Sequence, residues 1–127
     1  MGGSTLYRTS IETRFSAAHE LRGYPGHCGR LHGHTWKIRV EVDTDRIDGI
    51  GISIDFKKLR EITESALEPL DHQHINSVPP FDQINPTAEN LSQYLYREIR
   101  RRLPPDVRMV QVIVWESDHY AVGYTEP

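Results

Sequence analysis

Residues 5–19 and 32–43 alternate apolar and polar side chains with a period of two, and this constrains the fold more than any other feature. Strands send successive side chains to opposite faces, so each run describes a strand with one face toward a core and one toward water. In the first run Tyr7, Thr9, Ile11, Thr13, Phe15 and Ala17 share a face against Arg8, Ser10, Glu12 and Arg14, and His19 ends the run on its apolar face. In the second, His32, His34, Trp36, Ile38 and Val40 share a face. Three imidazoles thus point the way the core points.

The remaining elements follow from caps and breakers. Asp48, Gly49 and Gly51 mark a turn. Asp55 is placed to N-cap a helix whose inner stripe is Phe56, Leu59, Ile62, Ala66 and Leu67, with Pro69 ending it. Residues 70–86 show no periodicity, and long loops of this kind in compact domains are often functional. Thr87 caps a second helix with Leu91, Leu95 and Ile99 inward, stopped by Pro104 and Pro105. Two closing strands, Val107 to Glu116 and Tyr120 to Tyr124, complete the order ββααββ. Such an order predicts an α+β fold, with two helices on one face of a four-stranded antiparallel sheet. The 127 residues make one domain, 1–127. No strong protection of the sheet edges is visible, which favours pairing with further copies of the chain.

Composition narrows the partners. A formal net charge of −3 gives no electrostatic footprint for nucleic acid or an anionic membrane. No apolar run approaches the ~20 residues of a spanning helix, no signal-peptide core follows the N-terminus, and Leu6 stands where N-myristoylation after Gly2 requires Ser or Thr. The single cysteine fits a reducing compartment, so a soluble cytoplasmic protein is expected.

His32 and His34, two apart on one strand face, can reach a single ion, and antiparallel pairing could bring His19 to the same place. Three neutral imidazoles with a fourth position open is the pattern of catalytic zinc, although imidazole also suits copper, iron and nickel. A cupin-type oxygenase would need a glutamate four or five residues past the second histidine, where Ile38 and Arg39 stand. The bland alternative is that each histidine is a satisfied core or rim residue. Cys28 has three readings: a small buried hydrophobe, a fourth ligand closing a structural zinc site, or a thiolate activated beside the metal. Its glycine-flanked loop, Gly26 to Gly29, argues against core filler.

A working thiolate needs a partner for its proton. Asp71 and His72 supply a carboxylate and an imidazole, though a turn aspartate beside a surface histidine is the commoner case. Glu116 ends the run Val110, Val112, Val114 on one face, where an unpaired carboxylate is costly to bury, unless it already lies in water. Glu89, in the first turn of the second helix, is explained by the helix dipole alone. Arg97 to Arg102 read as a solvated helix end.

Together, FSAAH (Phe15–His19), CGRLHGHTW (Cys28–Trp36), LDHQHIN (Leu70–Asn76), NPTAENL (Asn85–Leu91) and WES (Trp115–Ser117) resemble the 6-pyruvoyltetrahydropterin synthase family, in order and over nearly the whole chain. Cys28 standing four residues before His32 is most similar to its 6-carboxytetrahydropterin synthase branch, of queuosine (7-deazaguanine) biosynthesis. Ile75 and Ser117 depart from the usual leucine and threonine without touching a chemical group.

The resemblance implies the tunnelling fold, with three subunits joining their sheets into a barrel and two trimers stacking into a homohexamer. It implies one Zn²⁺ per subunit on His19, His32 and His34, and a pterin triphosphate substrate. The implied reaction is a carbon–carbon lyase step from 7,8-dihydroneopterin triphosphate to 6-carboxy-5,6,7,8-tetrahydropterin, acetaldehyde and triphosphate. Cys28 would take a proton from the side chain. Asp71 and His72, from a neighbouring subunit, would relay protons with Glu116. Glu116 and Glu89 would serve the pterin pocket. Two alternatives stay open on the sequence: a pyruvoyl-forming synthase that eliminates triphosphate, and a non-enzymatic Cys-His₃ structural zinc module.

Overall fold

A computed structural model describes residues 6–26 and 29–127. The elements run β1 (Tyr7–His19), β2 (His32–Thr44), α1 (Phe56–Leu67), α2 (Ala88–Arg100), β3 (Arg108–Trp115) and β4 (Ala121–Tyr124), with a 3₁₀ turn at Ile75–Ser77. The strands form a single antiparallel sheet in sequence order, and the helices pack on one face. The expected α+β order, ββααββ, is the observed one.

β1 and β2 pair along their full lengths, from Tyr7 opposite Thr44 to His19 opposite His32. The helix-facing side carries Ile11, Phe15 and Ala17 of β1, Trp36, Ile38, Val40 and Val42 of β2, and Val112 and Val114 of β3, all buried. Phe15 and Trp36, cross-strand partners, stack with ring centroids 6.0 Å apart. The helices close this face with Leu59, Ile62, Leu91, Leu95 and Ile99.

Two assignments change. Strict alternation puts Val110 on the core face, but the β2–β3 register shifts between Glu41 and Val42, which face Gln111 and Met109. A bulge adds one residue to a strand and reverses facing beyond it. Val110 is the extra residue, and Met109 takes the core position. Phe56 has helical spacing with the inner stripe of α1, yet it is largely exposed, and the buried stripe begins at Leu59. Spacing cannot show where the packing partner of a helix ends.

The 70–86 segment has no extended regular element, but it is pinned. Leu70, Ile75 and Phe81 are fully buried. Its first part also covers the end of the outer edge of β1: His72 N–H donates to Ser16 O, Ala18 N–H donates to Gln73 O, and Ser16 N–H donates to the Asp71 carboxylate. At the opposite end of the sheet, buried Asp43 accepts from Arg8 Nε at 2.8 Å, Arg8 Nη2 at 3.0 Å and Arg108 Nη2 at 3.1 Å, tying three strands together.

Candidate metal centre

His19 and His32 are register partners at the end of the β1–β2 ladder, and His34 lies one side-chain step further along the same face. The strand geometry therefore places all three imidazoles together. His19 Nε2 lies 3.1 Å from His32 Nε2 and 3.2 Å from His34 Nε2. Glu116, one residue beyond β3, turns its carboxylate onto the same point, with Oε1 at 3.2 Å from His19 Nε2, 3.7 Å from His34 Nε2 and 3.9 Å from His32 Nε2. One donor atom from each of the four lies within 4.8 Å of every other.

Tautomers decide what this cluster can hold. His19 Nδ1 is 2.8 Å from the Pro86 carbonyl, and His32 Nδ1 is 2.7 Å from the Arg30 carbonyl. A carbonyl only accepts, so both Nδ1 atoms carry hydrogen, and the neutral rings direct Nε2 lone pairs at each other. Lone pairs 3.1 Å apart repel unless a cation lies between them. Zinc–nitrogen bonds of about 2.0–2.1 Å in a tetrahedron set donors about 3.3 Å apart. The observed separations bracket that value, so the donor set fits a zinc-sized ion.

The surroundings favour the ligand forms. Burial, then the neighbouring His19, pushes the His34 imidazole below its ordinary pKa, toward the neutral ring. The contact with His19, and then the surrounding imidazoles, hold the Glu116 carboxyl below its usual range, against partial burial. Trp36 supplies an apolar floor, its ring centroid 4.3 Å from that of His34 and 4.8 Å from that of His19.

The other candidates are distributed differently. Glu116 was expected on a buried face; it is only half-buried and belongs to the imidazole cluster, so the fourth position has a donor facing it. His72 Nδ1 lies 3.0 Å from Asp71 Oδ1, and neither joins the four-residue cluster. His72 is the one non-glycine residue with positive φ (59°) among those described. A surface depression of about 550 Å³ is lined by both His34 and His72, linking the pair to the centre. Glu89 is exposed on the first turn of α2, outside the cluster. Cys28 lies outside the described residues.

Sequence reasoning missed the carbonyls of Pro86 and Arg30, because backbone acceptors leave no residue-type signal. It also missed the side chains of Asn76 and Asn85, which hydrogen-bond the backbone just beyond His19. The Asn85-Pro86 turn signal was the one available hint.

The model of the family described as 6-pyruvoyl tetrahydropterin synthase matches residues 8–127. The chain belongs to that family. Within the 6-pyruvoyl tetrahydropterin synthase family it is 31% identical over 122 residues, 96% of each chain, to a dihydroneopterin monophosphate aldolase of Pyrococcus furiosus. It is 29% identical over 119 residues, 91% of each chain, to a 6-carboxy-5,6,7,8-tetrahydropterin synthase of Synechocystis sp.. A 6-pyruvoyl tetrahydropterin synthase structure from Caenorhabditis elegans superposes with a TM-score of 0.86 at 22% identity, covering both chains fully, which establishes the tunnelling-type fold.

Proposed function

We propose that the chain, a pterin-processing enzyme of the 6-pyruvoyl tetrahydropterin synthase family, is a zinc-dependent carbon–carbon lyase of queuosine biosynthesis. It would convert 7,8-dihydroneopterin triphosphate and water to 6-carboxy-5,6,7,8-tetrahydropterin, acetaldehyde and triphosphate. The observation that carries this reading is the convergence of three Nε2 atoms, two with lone pairs fixed inward, on one point faced by a carboxylate. Relatives bearing the 6-carboxytetrahydropterin synthase name, and Cys28 standing four residues before His32, support the branch.

His19, His32 and His34 would hold the ion, which when bound supplies Lewis acidity and a template for the substrate's side-chain hydroxyls. Cys28 removes a proton from that side chain. Asp71 orients His72 by the contact between its carboxylate and the ring, and His72 passes protons at the rim of the depression it shares with His34. Glu116 accepts N–H or O–H groups of the substrate, and Glu89 serves the pterin end. As in the family pattern, neighbouring subunits complete the site in a hexamer of two stacked trimers. Support comes from the outer edge of β1, where Tyr7 to Arg14 have no strand partner among the described residues. Mass measurement at micromolar concentration tests the assembly, and a monomer would count against it.

A second reading is favoured by one observation, the full-length match to the dihydroneopterin monophosphate aldolase. The deciding experiment is incubation with dihydroneopterin triphosphate and its monophosphate. Acetaldehyde with a 6-carboxy product supports the proposed lyase. A 6-hydroxymethyl product with a two-carbon glycolaldehyde fragment still carrying the substrate's phosphate supports the aldolase, and a 6-pyruvoyl product the eliminating synthase. No product from either substrate would leave the structural zinc module.

A further inference from the structure

The three imidazoles are not held alike. His32 Nδ1 is fixed by the carbonyl of Arg30, two residues away in the chain. His34 Nδ1 is buried and has no acceptor among the described residues. His19, fully buried, depends on the Pro86 carbonyl, 67 residues distant. Its orientation is therefore only as good as the alignment of the chain around Pro86 with the end of β1.

Two asparagines make that alignment. Asn76 Oδ1 accepts from Glu20 N–H at 2.9 Å, and its Nδ2 donates to Glu20 O at 3.0 Å. Asn85 Oδ1 accepts from Arg22 N–H at 2.9 Å, and its Nδ2 donates to Arg22 O at 2.9 Å. Each side-chain amide pairs with a backbone residue in both directions, as a neighbouring strand would, and together they continue the partnering of β1 past His19. Asn85 is also bonded covalently to Pro86. Its own carbonyl accepts from Asn90 Nδ2 at 2.8 Å, and Asn90 N–H bonds the Thr87 cap at 3.1 Å, so the clamp is anchored on α2. Arg22 reinforces it by donating to the carbonyls of Phe81 and Ile84.

We propose that Asn85 is a positioning residue for the metal centre: its two-way bond to Arg22 holds the Pro86 carbonyl on His19 Nδ1 and so keeps His19 Nε2 aimed at the ion. Groups that orient a metal-binding imidazole change affinity by 10–100-fold when removed. The same clamp joins His19 to the first turn of α2, where Glu89 stands, so the metal and that end of the site are set as one unit. This inference rests on the metal-centre reading.

The test measures zinc affinity by competition with a chelator, and the visible spectrum of the cobalt-substituted protein, for wild type, Asn85→Ala and Ile62→Val. The last is a core truncation on α1 that controls for lost stability. Asn85→Ala is expected to lower zinc affinity by about 10–100-fold and to shift the cobalt bands, while Ile62→Val changes neither. Wild-type affinity and spectrum in Asn85→Ala, or an equal loss in Ile62→Val, overturns the assignment while leaving the metal centre intact. A wild-type chain that takes up neither metal removes the centre and the inference with it. Should Asn85→Ala fail to fold, Asn85→Ser, a smaller polar side chain that cannot pair with Arg22 in both directions, carries the same comparison.

Discussion

The Nε2 atoms of His19 and His32 stand 3.1 Å apart, and each ring spends its only hydrogen on a backbone carbonyl on its other side. Such a pair is stable with a cation between the two lone pairs and repulsive without one. Purified protein should contain about one zinc per chain, the number one open site takes. His32→Ala should lose most of it by metal analysis, and full occupancy in a triple alanine variant of His19, His32 and His34 would remove the site from consideration.

Cys28 separates the lyase from the structural module. In the lyase, Cys28→Ala keeps its zinc and its assembly and loses turnover by ~10²–10⁴-fold, the usual contribution of a positioned proton transfer. In a closed structural site the same variant loses zinc and stability together, because metal binding there is coupled to folding. Metal content, melting temperature and turnover on one preparation distinguish the two.

His72 pairs with Asp71 from a backbone with φ of 59°, a region that costs a side-chain-bearing residue about 1–2 kcal/mol relative to glycine. His72→Gly should therefore be more stable than His72→Ala by about 1 kcal/mol in denaturant unfolding. On the proposed proton-relay role of His72, both should keep zinc and lose turnover. Equal stability of the two variants would show that the left-handed conformation carries no strain.

The Asp43 carboxyl is held below the usual carboxylate range, first by its hydrogen bonds with Arg8 and then by Arg108, with burial opposing. Its folded pKa lies below the unfolded value of about 3.9, so the native state binds fewer protons. The stabilisation is complete above that pH and disappears as pH falls through the folded pKa. Asp43→Asn should cost about 2 kcal/mol at neutral pH, the scale of hydrogen bonds to a charged group. The gap between variant and wild type should close on acidification below about pH 4. A gap that does not begin to narrow on acidification below about pH 4 would mean that the carboxylate's charge is not what ties β1, β2 and β3 together.

The sequence by itself determined the strands, the helices, their caps and the shared facing of three imidazoles. Period-two alternation in β1 and β2 needs only local sterics and the burial of one face, so it put Ile11, Phe15, Trp36 and Val40 in the core and the three imidazoles on the same side. Tertiary structure alone decided what depends on register and backbone. The bulge that exchanges Val110 for Met109 arises from pairing between distant strands, and nothing within β3 announces it. The seating of Glu116 against His19 requires β3 to end beside the β1–β2 ladder. The carbonyls that set the tautomers of His19 and His32 carry no residue identity, since every residue has one. Asn85 shows the difference most clearly: its sequence marks a turn, but the clamp on Arg22 exists only when residues 63 apart are brought together.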